Sequence, residues 1–156
     1  MKDIPQLLDL YKKGPKSVAD RVATLSEAEL DAVPVAGMWS IREVVCHIAD
    51  FEIISADRLK RVLAEDNPTL FDCDPDLLTE AFGKTKRPVD VELAVISSVR
   101  KSTAAILDAC DIEDFQRTGV HSAEGPMTLE ALLERTINHV PHHLKFVDEK
   151  IAALNT

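Results

Sequence analysis

With 156 residues, 46% hydrophobic and 29% charged, the chain has a globular composition and enough length to bury roughly two thirds of its unfolded surface, so one domain over 1–156 is expected. Its 18 basic residues against 27 acidic ones leave a net charge of −9, which argues against a nucleic-acid partner or an anionic membrane surface. No apolar run approaches the ~20 residues that span a bilayer, MKDIPQLLDLYKK lacks a signal-peptide core, and Cys46, Cys73 and Cys110 form no pairing motif, so a cytoplasmic protein with reduced, packed thiols is expected.

Few glycines and helical apolar spacing predict helix nearly throughout. The first long helix runs from about Ile4 to Thr24, with Gly14-Pro15 expected to kink or split it. SEAELDAV is a short helix on Ser26 and Glu29, and PVAGM is a turn. The second long helix starts at WSIREVV, where Ser40 and Glu43 make a capping box and Trp39 is placed to staple the first turns; it runs to about Glu65. DNPTLFDCDPD reads as a loop and PDLLTEAFG as a short helix ended by Gly83. The third long helix spans about Asp90 to Ala109, and DIEDFQRTGVHSAEGP reads as a loop with one turn. Thr128 caps the last helix, which continues to about Leu154. Four long amphipathic helices bury their stripes only against one another, so the fold class is all-α, a four-helix bundle.

Three of the five histidines stand in NHVPHHLKFV. His139 and His143 are four apart, one above the other on the inward flank of the last helix, while His142 is rotated by about 100° toward a groove or solvent. On the second helix His47 shares a face with Val44, Phe51 and Ile54 and also points inward. Three imidazoles from two helices thus converge. A buried histidine can be a hydrogen-bonded core residue, but three neutral imidazoles together suit a divalent cation (Zn, Ni or Fe) and leave coordination positions open. The spacing lacks the Glu of a zincin HExxH and the ExxH pairs of a di-iron bundle. Pro141 either bends the helix so that the pair converges or is a tolerated kink.

WSIREVVCHIAD with the arginine of SADRLKR, and RTGVHSAEGPMTLEALLERTINHVPHHLKFV, resemble in order and spacing the DinB/YfiT-like metal-dependent hydrolase superfamily, closest to its DinB-like branch. The resemblance implies up-down-down-up connectivity and a divalent metal on His47, His139 and His143. It also implies a small-molecule substrate, a homodimer, and activity as a hydrolase or as a transferase using a low-molecular-weight thiol cofactor; a non-catalytic metal- or ligand-binding bundle is the alternative. One departure stands out: Phe146 occupies a position where family members often carry glutamine.

Near His47, Asp50 and Glu43 can each receive an imidazole N–H or act as general base, although the capping box already accounts for Glu43. Asp50 is the candidate catalytic residue. Arg58, three turns beyond His47, either pairs within the bundle or holds an anionic substrate group. His121 precedes the last helix and is expected as a surface loop residue or at the site mouth.

Overall fold

In a computed structural model, residues 3–83 and 85–154 are described. The four expected long helices are α1 (Ile4–Val22), α3 (Ile41–Ala64), α5 (Val89–Leu107) and α6 (Leu129–Leu154), with short helices α2 (Glu27–Asp31) and α4 (Pro75–Phe82) in the first two connections. The predicted caps form. Ser26 and Ser40 each close a capping box with the glutamate three residues on, and the Thr128 hydroxyl accepts from the Ala131 amide at 3.1 Å. Asp74 caps α4, and Gly83 ends it.

Around the bundle α1 packs on α5 and α6, and α3 packs on the same two, so α1 and α3 lie on one diagonal and α5 and α6 on the other. Arg21 pairs with Asp148 and Lys12 with Asp108, which makes α1 parallel to α6 and antiparallel to α5. The connectivity is up-down-down-up.

Two apolar clusters fill the interior. One gathers Leu7, Leu8, Tyr11, Leu59, Leu107, Leu129 and Leu133, the other Val18, Val22, Ile41, Ile48, Ile96, Val140 and Val147. Between them on every long helix falls one polar layer. Arg100 is wholly buried and donates to Glu52 at 2.6 Å, to the Thr136 carbonyl at 3.0 Å and to the Tyr11 carbonyl at 2.8 Å.

The expectation that Gly14-Pro15 splits the first helix is overturned, because α1 runs through both residues. Proline has no N–H to give the carbonyl four residues back, which is Tyr11, and that freed carbonyl is the one Arg100 takes. Gly14 makes room: a Cβ there would stand 2.0 Å from Arg100 Nη1.

The two segments read as loops also need correction. Thr69–Leu70 (β1) pairs in parallel with Thr118–His121 (β2), which turns at Gly125 (φ +79°) into antiparallel Gly125–Thr128 (β3). Ile112–Gln116 is a 3₁₀ turn before them. The sheet lies on the C-terminal end of α3, where Arg117 donates to the carbonyls of Val62 and Glu65. It holds Phe71 to Cys73 over the α3–α6 face.

Candidate metal centre

The antiparallel contact between α3 and α6 aligns His47 with the His139/His143 pair, whose i,i+4 spacing stacks them on one face. His47 Nε2 lies 2.9 Å from His139 Nε2 and 3.0 Å from His143 Nε2. Among the described residues these three form the one group of histidine, cysteine and acidic side chains placed to hold a metal ion. All three expected ligands therefore meet. Pro141 lies within an unbroken α6 between the two α6 ligands.

Packing fixes the rings. Phe51, one turn after His47, stacks on His139 with centroids 3.6 Å apart and planes 13° from parallel, and Trp39 sits 5.1 Å from the His47 ring. Burial, followed by the neighbouring histidines, pushes His139 down to about 2 and His143 to about 4; burial also lowers His47. All three are neutral at physiological pH.

The donor set passes the test of fit to a cation. Nδ1 of His139 and His143 is buried without a hydrogen-bond partner. Three neutral rings carry one N–H each, so with their protons on Nδ1 three lone pairs face one another, and that repulsion is relieved by a positive ion. Ligand nitrogens about 2.1 Å from a tetrahedral ion would stand roughly 3.4 Å apart, a few tenths of an ångström wider than here.

A cavity of about 290 Å³ opens on the histidines and is walled by Trp39, Phe51, Ile54, Leu78, Arg58 and Arg135. Leu78 comes from α4, which buries none of its own residues completely and roofs the site. A second cavity of about 280 Å³ shares His47, Asp50 and Leu78 with it.

The other expected residues are placed as follows. Asp50 lines both cavities, but Arg87 donates to both its oxygens at 2.8 and 2.9 Å, so it is not a free carboxylate. The same arginine binds Glu92, and its pKa is pushed up, first by Asp50. Glu43 accepts from the Ser40 amide at 2.7 Å, as a cap. Arg58 is buried on the cavity wall and donates to the Phe71 carbonyl. His142 is exposed and sets its ring edge-on against His143 and Phe146. Phe146, 5.9 Å from the His143 ring, puts an apolar face beside the site.

The surface-loop expectation for His121 is overturned. It is 1% exposed on β2, accepts from the Ala123 amide through Nδ1, and keeps Nε2 3.7 Å from Asp72. It does not line the cavity. Residue reasoning missed Arg87, which carried no signal inside KTKRP. It also missed Phe51 as a stacking partner and Arg135, although the i,i+4 arithmetic that found the histidines reaches both.

A model of the DinB superfamily matches residues 10–147. A Bacillus cereus (strain 03BB102) protein named "Putative metal-dependent hydrolase" is 30% identical over 152 residues, covering 97% of this chain and 85% of its own. Among solved structures, YfiT from Bacillus subtilis, described as "a probable metal-dependent hydrolase with an unusual four-helix bundle topology", superposes with a TM-score of 0.90 at 23% identity, over 97% of this chain and 87% of that one. A mycothiol-dependent maleylpyruvate isomerase shares the fold with a TM-score of 0.72 at 13% identity, over 92% of this chain and 60% of that one.

Proposed function

The chain belongs to the DinB superfamily, and from that premise we propose that it is a divalent-metal-dependent enzyme acting on a small molecule at His47, His139 and His143, as a hydrolase or a thiol S-transferase. The observation that carries the reading is the convergence of three neutral imidazoles, Nε2 to Nε2 at 2.9 and 3.0 Å, on the wall of a cavity. A bound divalent cation supplies Lewis acidity there, making water or a thiol nucleophilic near neutral pH.

The chain's own residues do the rest. Burial holds His139 and His143 neutral, so each can offer Nε2 to an ion with its one proton on Nδ1. Phe51 and Trp39 fix the planes of His139 and His47. Apolar walls and α4 restrict water, which strengthens electrostatic interactions inside. Asp50, bridged to Arg87, is assigned the placing of negative charge near His47 rather than the role of base.

Metal analysis of untagged protein against the His47→Ala/His139→Ala/His143→Ala variant tests the site: near-stoichiometric metal lost in the variant is expected, and equal content in both would remove the reading. Ester and amide substrates, beside bacillithiol, mycothiol, glutathione and coenzyme A with electrophiles, separate hydrolase from transferase; metal-dependent turnover is expected in one arm. Asp50→Asn should keep metal and lose only part of the activity. A non-catalytic bundle is the second reading, favoured by Phe146 beside the site and by the committed state of Asp50.

A further inference from the structure

Beyond the histidines, the same cavity continues along both helices in register. On α3 His47 is followed by Phe51, Ile54 and Arg58; on α6 His143 and His139 are preceded by Arg135, and all seven line one space. Arg135 stands one turn from His139, about 6 Å along the axis, and Arg58 about 16 Å beyond His47 before its side chain leans back toward the helix start. The cavity therefore has a histidine end, an apolar middle and an arginine end.

The arginine end is built for something that the chain does not provide. Arg58 is 5% exposed, and its Nε, buried, has no hydrogen-bond partner. Its Nη2 donates to the Phe71 carbonyl, and among the described residues its one ion-pair partner is Asp72 at 4.0 Å, an acid half in solvent. Burial and then the charge of Arg135 lower its pKa, so two guanidiniums act on one another across the wall. The carboxylate that Arg135 does hold, Glu124, is itself half exposed. A buried cation with an unused donor and a like charge beside it is costly, and an anion between the two offsets both terms.

We propose that Arg58 and Arg135 form an anion subsite, and that the small molecule taken by this cavity carries a carboxylate at one end and its reacting group at the other. The inference rests on the three-histidine reading for that second end. An apolar span lies between them, past Phe51 and Ile54, and the volume of about 290 Å³ limits the ligand to a small one.

The test uses metal-loaded protein and calorimetric titration with paired hydroxamic acids, whose heads bind the metal and whose tails end in a carboxylate or in the neutral carboxamide. The acid should bind at least tenfold tighter than the amide, about 1.4 kcal/mol. Arg135→Gln and Arg58→Gln should each bring that ratio toward one, while Arg58→Lys should retain part of it. Arg135, a third exposed, tolerates the change, and the lysine keeps the buried charge if Arg58→Gln fails to fold. Equal affinity of acid and amide for the wild type, or a ratio that survives the glutamine variants, overturns the subsite. Failure of both hydroxamates to bind folded protein counts instead against the open metal site. In that event glutarate is titrated into metal-free protein while the Arg58 Nε–Hε resonance is followed. A saturable shift abolished by Arg135→Gln supports the subsite, and no shift overturns it.

Discussion

Tyr11 is the chain's single tyrosine, and its ring lies under Arg100 at 4.7 Å while Glu52 approaches from α3. Burial first, then the Glu52 charge, raises its phenol to about 12. A raised pKa stabilises the fold fully below the unfolded value near 10, and that contribution is lost as pH rises through the folded value. Absorbance at 295 nm should therefore titrate near 12 in folded protein and near 10 in urea, with stability falling by up to about 1.4 kcal/mol per pH unit between the two. A folded midpoint at 10 would contradict this placement. At Gly14 the usual sign reverses. Glycine to alanine inside a helix ordinarily gains about 1 kcal/mol. Here the new methyl meets a guanidinium fixed by three acceptors, so Gly14→Ala should cost about 1–3 kcal/mol in urea denaturation. A gain in stability would show that Arg100 yields freely.

At the scale of elements, the N-terminus of α3 carries both a cap and, two turns on, a ligand. Ser40→Ala should lower stability by about 1 kcal/mol, read from a denaturant midpoint, while leaving metal content near wild type. Loss of metal in Glu43→Gln, which preserves much of the cap, would instead give Glu43 a part in the site. These helices were legible because capping boxes and 3.6-residue spacing are local signals, as Ser26, Ser40 and Thr128 show. The sheet was not, because β1 has two residues and its partner lies some fifty positions away, a contact that no window on the sequence contains. His121 was misread for the same reason: a histidine on a four-residue strand looks like a loop histidine until Leu70 is paired beside it. At the arginine end of the cavity Arg58 was legible as a holder of an anionic group, whereas Arg135 was not, because a charged residue at helical spacing reads as surface, and its place on a cavity wall is a property of the neighbours.

For the whole molecule, both apolar clusters and the Arg100–Glu52 pair are built from side chains other than the three histidines, so the bundle encloses its core apart from the metal site. Chelation should therefore leave a folded helical protein. A ligand in hundredfold excess over its Kd contributes about 2.7 kcal/mol, which for a chain of this size corresponds to a fall in Tm of roughly 5–11 °C. Loss of the helical circular-dichroism signal at room temperature on chelation would favour the non-catalytic reading, in which the metal is structural.

The diagonal placement of α1 against α3, and of α5 against α6, has a kinetic side. Neither of these two connections makes a helical hairpin, so much of the interior closes through pairs distant in sequence. Helical bundles made of sequential neighbours fold fastest, and closing large loops first costs entropy, which should place this chain among the slower members of its class. The histidines stand 92 and 96 residues apart in sequence, so their meeting awaits the docking of the last helix on the second long one. A cation that binds only there acts after the rate-limiting step. In stopped-flow experiments it should leave the refolding limb of the chevron unmoved and slow the unfolding limb alone, making the ion a brake on escape from the native state rather than a seed for reaching it.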